Sequence, residues 1–181
     1  MLKNFYFLLI FIVFVSGAAY HFAPQTTAQN GQKKIESKND TAKHASEAAL
    51  LKEIDDLLSK NEYHKAGNLL DTLREKYFRT FEYRKTVIAG MRILSLKDKI
   101  NDKALIASSY NTTGLAFWRL GELDSALIFL NEGLKIRLTL TDSASLGKSY
   151  NNIGLVYWRK GETEKSYRNY LKALEIREKC G

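Results

Sequence analysis

The chain has 181 residues and a formal net charge of +8. Its one cysteine, Cys180, excludes an intramolecular disulfide, and three widely separated histidines predict no metal site. Basic residues alternate with acidic ones along amphipathic segments, which favours solvated faces over nucleic-acid binding. The single proline, Pro24, lies near the N-terminus, so the remaining chain suits an all-helical fold.

The first 23 residues have the pattern of an export signal. A positive head with Lys3 precedes an unbroken apolar run over 5–15, and small residues follow at 16–19. This order is typical of a secretory signal peptide. Because the apolar stretch continues toward Phe22 and approaches the ~20 residues that span a bilayer, an uncleaved anchor is the alternative. Both interpretations predict export across the cytoplasmic membrane, into the periplasm or the extracellular space, with membrane contact through residues 1–23 alone.

Residues 24–45 are polar and show no apolar periodicity, so we expect a flexible linker. Helical patterns then run through residues 46–181. Within them, residues 46–100 form divergent helices: an amphipathic pair joined by a turn at 61–63, and a further helix at about 81–97 that is extra or half-paired.

Residues 102–141 and 142–181 are two copies of one 40-residue repeat, because 14 of the 40 aligned positions are identical. The shared segment runs from Ser109-Tyr110-Asn111 to Gly121-Glu122 in the first copy, and from Ser149-Tyr150-Asn151 to Gly161-Glu162 in the second. A bundle of helices would need no such internal copying.

Each copy is predicted to fold as two helices joined by a tight turn. Gly161 is expected in the left-handed conformation at the turn, and Asp102 and Asp142 are expected to cap the first helices. Gly154 falls inside a helix, where it costs about 1 kcal/mol relative to alanine. Such a glycine is tolerable where a neighbouring helix must approach the backbone closely.

These residues resemble the tetratricopeptide family. The second copy carries the family's pattern at Tyr150, Ile153-Gly154, Tyr157, Gly161, Ser166, Tyr170 and Ala173. The family's usual spacing is shorter and ends with a proline, and the longer spacing found here is similar to kinesin light-chain and spindle-orientation-adaptor repeats. The resemblance implies an all-α, right-handed α-α superhelix of about three helix pairs.

No phosphate-binding glycine loop, CxxC pair, HExxH motif or nucleophile elbow is present, so we expect no catalysis, catalytic residue or cofactor. The resemblance instead implies a scaffold that binds a partner protein or an extended peptide on the concave face lined by the first helices. The candidate binding residues are Asn111, Leu115, Trp118, Arg119, Asn151, Asn152, Leu155, Trp158 and Arg159. Two alternatives remain open: the tryptophans pack between adjacent repeats, and the arginines pair with the turn glutamates.

The chain ends inside the repeat pattern. We therefore expect Tyr167, Leu171 and Leu174 to leave an apolar surface at the end of the stack. Three explanations stay open: a partner or a second copy covers this surface, the surface is small enough to be tolerated, or the native chain continues past Gly181. Self-association through the open C-terminal end is the second-copy case. An alternative function is an extracytoplasmic sensory or input module, because the chain is similar to the first half of larger bacterial sensor regulators that contain such repeats.

Overall fold

Seven α-helices follow one another in the computed structural model, which describes residues 45–179. They are α1 (45–59), α2 (Tyr63–Arg79), α3 (Tyr83–Ser95), α4 (Lys103–Leu120), α5 (Leu123–Arg137), α6 (Ser143–Arg159) and α7 (Thr163–Lys179). The described residues contain no strand, which confirms the all-α prediction. None of the described helices is long and apolar enough to cross a bilayer. The predicted export signal and most of the predicted linker lie outside the described residues.

The helices follow a strict period. From α2 onward they begin at residues 63, 83, 103, 123, 143 and 163, so each helix starts 20 residues after the one before it. The 40-residue repeat that the sequence shows over 102–181 therefore extends upstream through α2 and α3. Sequence identity does not reveal this first repeat, because its side chains differ from those of the later copies.

The same turn geometry follows four of the described helices. After α1, α2, α4 and α6, a glutamate backbone N–H donates to the carbonyl oxygen five residues earlier. In the last three turns these bonds run from Glu82 to Tyr77 (2.9 Å), from Glu122 to Phe117 (2.9 Å) and from Glu162 to Tyr157 (3.0 Å). The residue directly before each of these glutamates is left-handed, and the chain reverses its direction within three residues.

The left-handed residue differs among these turns. Gly121 and Gly161 have φ of 86° and 77°, which confirms the prediction for Gly161. Asn61 and Phe81 occupy the same place in the two earlier turns, with φ of 60° and 62°. Asparagine tolerates this region, whereas a bulky aromatic residue there is strained.

The paired helices build two layers. α2 packs against α3, α4 against α5, and α6 against α7, while α2 also packs against α4 and α4 against α6. This arrangement corrects the expectation that the helix at about 81–97 is extra or half-paired: α3 is the partner of α2. The helix α1 precedes the first of these pairs, and Ile54 on α1 packs with Ala66, Leu70 and Leu73 on α2.

Local sequence explains where the first helices begin and why they approach their partners. Asp102 and Asp142 accept hydrogen bonds from the backbone N–H groups of Leu105 (2.9 Å) and Ser145 (3.1 Å), as predicted for N-caps. A Cβ on Gly154 would lie 2.8 Å from the ring of Tyr170. The expected close approach at this mid-helix glycine is therefore confirmed.

Candidate protein-binding face

One face of the first-helix layer stays accessible along the whole stack. On each helix it is a row of five side chains spaced by four, three, four and four residues, which places them on one side of an α-helix. We call this the A-face: His64, Asn68, Asp71, Glu75 and Arg79 on α2; Ala104, Ser108, Asn111, Leu115 and Arg119 on α4; Ala144, Lys148, Asn151, Leu155 and Arg159 on α6. All fifteen are exposed or half-buried.

Six of the nine predicted binding residues belong to the A-face. They form two equivalent rows, with Asn111, Leu115 and Arg119 on α4 and the residues 40 positions later on α6. Each row combines a carboxamide, an apolar side chain and a guanidinium. Such a row can bond to the backbone of an extended peptide, bury one apolar side chain and attract one carboxylate.

A hydrogen bond joins the two rows. Asn152 Nδ2 donates to Asn111 Oδ1 at 2.9 Å, so these two carboxamides link α6 to α4. This bond leaves the Asn111 amide group and the Asn152 oxygen available for a further partner. Asn111 and Asn152 therefore help to align the repeat that contains α6 with the repeat that contains α4.

Trp118 packs between repeats. The guanidinium carbons of Arg119 and Arg159 lie 4.7 Å and 5.7 Å from the centroid of its ring system, and Arg159 also donates to the Trp118 carbonyl oxygen. This geometry agrees with the packing alternative for this tryptophan. The alternative in which the arginines pair with the turn glutamates is not seen at Glu162, which pairs with Lys165 (2.6 Å).

Trp158 occupies the position on α6 that Trp118 occupies on α4, yet 66% of its surface is exposed. No later repeat among the described residues supplies an arginine to cover it. Trp118, Asn152 and Trp158 thus lie beside the A-face or at the end of the stack, and their part in partner binding stays a prediction.

Three arginines form a line along the A-face. Arg79, Arg119 and Arg159 stand in the last turns of α2, α4 and α6, 40 residues apart, and all three are exposed. Within the described helices none of them pairs with a carboxylate. Arg79 is not among the predicted binding residues, although counting 40 residues back from Arg119 leads to it.

A buried charge cluster underlies the first third of the A-face. Arg74 is fully buried, and its Nη2 lies 2.5 Å from Asp71 Oδ1, 2.9 Å from Glu75 Oε1 and 3.2 Å from Ser108 Oγ. Burial lowers the pKa of Arg74 and raises the pKa of Asp71. The cluster ties α2 to α4. The sequence indicates this cluster at one position, because Arg74 stands where the two later repeats have Gly114 and Gly154.

No group of three or more His, Cys, Asp or Glu side chains between residues 45 and 179 is arranged to hold a metal ion.

Comparison with known proteins finds a family match for the last repeat and structural similarity for a larger part of the chain. The tetratricopeptide-repeat family model matches residues 147–180. No curated protein sequence matches the chain. The crystal structure of BtubC (BKLC) from P. vanneervenii is similar over 66% of this chain and 50% of that one, with 22% identity and a TM-score of 0.61. The chain thus spans about half the length of that structure.

A crystal structure of MamA is similar over 79% of this chain and 85% of that one, with 23% identity and a TM-score of 0.50. At these identities the likeness establishes the fold. With the repeating helix pairs and their turns, it shows an all-α superhelix built from helical repeats. Residues 147–180 are matched by the tetratricopeptide-repeat family model, and the described chain shares the fold of these solved structures.

Proposed function

We propose that the protein is a non-catalytic scaffold whose A-face binds an extended, acidic segment of a partner protein. The observation that carries this proposal is the line of Arg79, Arg119 and Arg159, one exposed guanidinium per repeat. Guanidinium groups bind carboxylates through paired, charge-assisted hydrogen bonds. A partner segment with acidic residues at regular intervals could place one carboxylate at each of the three guanidinium groups without any change in the fold.

The remaining A-face residues support an extended partner. Asn111 and Asn151 offer donors and acceptors to a peptide backbone, which gives affinity without requiring a particular side chain. Leu115 and Leu155 are half-buried and offer apolar area beside them. The partner would therefore alternate acidic and apolar residues along its length.

We also propose that the scaffold acts outside the cytoplasm, exported by residues 1–23 and either released or kept at the membrane by them. The sequence pattern of a positive head, apolar run and small residues supports this location. Intact mass spectrometry of the soluble and membrane fractions tests it. A soluble product about 2–3 kDa lighter than the full chain indicates cleavage, and a full-length product in membranes indicates an anchor. Full-length protein confined to the cytoplasm would refute export.

Selection of 12-residue peptides displayed on phage against the full chain tests the A-face. We expect enrichment of peptides with several Asp or Glu residues and intervening apolar ones. Replacing Arg79, Arg119 and Arg159 together by Glu should remove these peptides from the selected pool, because three attractive contacts become repulsive.

A matched control carries three charge reversals away from the A-face, at Lys103, Lys135 and Lys172. Its net charge equals that of the arginine variant, so a general electrostatic effect would appear in both. Circular dichroism should show the same helicity for all three proteins. Equal loss of acidic peptides in both variants, or retention in both, would contradict an A-face site.

A further inference from the structure

The A-face carries different charges on its three helices. On α4 and α6 the third and fourth positions of the row are uncharged, with an asparagine and a leucine on each helix, whereas α2 has Asp71 and Glu75 there. At the second position α6 has an exposed cation, Lys148, where α4 has Ser108. The A-face is therefore acidic in the middle of its first helix and becomes more basic toward its third.

The two carboxylates on α2 share a single guanidinium. Arg74 Nη2 lies 2.5 Å from Asp71 Oδ1 and 2.9 Å from Glu75 Oε1. Arg74 is fully buried beneath the A-face, so it approaches the carboxylates from the inner side only. The other carboxylate oxygens, Asp71 Oδ2 and Glu75 Oε2, have no partner among the described residues. One positive charge beneath two negative ones leaves a net negative charge that faces the A-face.

This negative charge is only partly hydrated. The side chains of Asp71 and Glu75 are 29% and 39% exposed, so a group on the A-face can reach both. Burial raises the pKa of Asp71 even though Arg74 attracts its carboxylate, which shows that one guanidinium does not offset the loss of water. A second cation at this place would meet two carboxylates that solvent screens less than exposed ones.

We infer that the partner segment carries a lysine or arginine where it crosses the middle of α2 and acidic residues where it crosses α6, so that the A-face binds it in one orientation. The inference rests on the proposed function. An acidic residue over Asp71 and Glu75 is repelled, whereas one over α6 is attracted by Lys148 and Arg159. Arg79 still pairs with an acidic residue of the segment, because it stands one helical turn after Glu75.

Fluorescence anisotropy with the full chain and labelled peptides of about eight residues tests the orientation. Such a peptide extends over roughly 25 Å, which matches three helices packed side by side. Three peptides share one composition of acidic, apolar and two lysine residues, with the lysines at the first end, at the second end or in the centre. A fourth peptide has glutamate in place of the lysines.

We expect one of the two peptides with terminal lysines to bind about fivefold or more tightly than the peptide with central lysines, because only it pairs its cations with α2 and its carboxylates with α4 and α6. The direction of the peptide backbone decides which end this is. The equal composition removes the effect of net charge from the comparison. The all-acidic peptide reports on the proposed function alone.

The variant Asp71→Asn with Arg74→Met and Glu75→Leu removes all three charges and gives α2 the asparagine and leucine of the later helices. A buried ion pair replaced by apolar side chains of similar volume is often tolerated. This variant should lose the preference for terminal lysines and bind the all-acidic peptide more tightly. Glu75→Gln, which leaves Arg74 paired with Asp71, should at least halve the preference, and it serves if circular dichroism shows that the triple variant is unfolded.

The matched control is Glu132→Gln on α5, which also removes one net negative charge but lies outside the A-face. It should keep the preference of the native chain. If the native chain binds the all-acidic peptide but does not distinguish terminal from central lysines, the inference is wrong and the proposed function stands. An unchanged preference in both α2 variants would also overturn the inference. If none of the four peptides binds, the proposed function fails and the inference fails with it.

Discussion

Phe81 has a left-handed backbone conformation, which a bulky aromatic residue rarely adopts. It has φ of 62° where the two later turns have glycine, and 75% of its surface is exposed. Its ring contacts only Tyr83 among the described aromatic rings, with centroids 6.2 Å apart. An exposed ring gains little burial energy to offset a left-handed backbone, which costs about 1–2 kcal/mol for a residue with a Cβ.

Phe81→Gly should therefore stabilise the protein by about 1 kcal/mol, since glycine adopts this conformation without strain. Urea unfolding followed by circular dichroism measures the change. Asn61→Gly is the matched control, and its gain should be smaller because asparagine already tolerates the left-handed region. A loss of stability in Phe81→Gly would show that the ring contacts outweigh the backbone strain.

At the scale of the helices, small residues determine how closely neighbours approach. Gly90 on α3 faces Thr113 on α4 so closely that a Cβ on Gly90 would lie 1.9 Å from Thr113 Oγ1. Thr113 is fully buried and β-branched, so its side chain cannot easily turn aside. Its hydroxyl has no hydrogen-bond partner within the described residues.

Gly90→Ala should destabilise the protein by about 1–3 kcal/mol through overpacking, even though alanine favours helix. Adding Thr113→Ala removes the obstructing hydroxyl and should recover most of that loss. Chemical denaturation of both single variants and the double variant gives the coupling free energy.

The control at this scale is Gly147→Ala on α6, where the nearest atoms to an added Cβ lie 3.5 Å or more away. It should be neutral or stabilise by up to about 1 kcal/mol. If Gly90→Ala behaved like this control, the α3–α4 contact would be looser than the structure indicates.

For the molecule as a whole, stability is distributed along a stack in which each repeat contacts its neighbours. Two equivalent tryptophans separate the interior of the stack from its end. Trp118 packs under Arg159 of the next repeat, whereas Trp158 is 66% exposed.

Trp118→Ala should therefore cost about 2–4 kcal/mol of the free energy of unfolding, while Trp158→Ala should change it by no more than about 0.5 kcal/mol. Thermal unfolding in the absence of a partner compares the two. Equal losses would mean that Trp158 is covered in solution, although it is exposed in the structure.

The helical class, the two later repeats and the residues at their turns and caps can be read from the amino-acid sequence alone. Gly161, Asp102 and Asp142 signal a turn and two caps through local backbone geometry, which depends on neighbours in the chain. The exposed apolar surface at Tyr167 and Leu174 was also expected from the repeat, because no described helix follows α7 to cover that apolar stripe.

The first repeat over α2 and α3, the partner of α3 and the position of the A-face became visible in the folded structure. These depend on which helices touch, and side chains as different as Arg74 and Gly114 can occupy equivalent positions. Trp118 and Trp158 are indistinguishable in the sequence pattern. One is covered and the other exposed because only one has a following helix among the described residues, and that is a property of the stack.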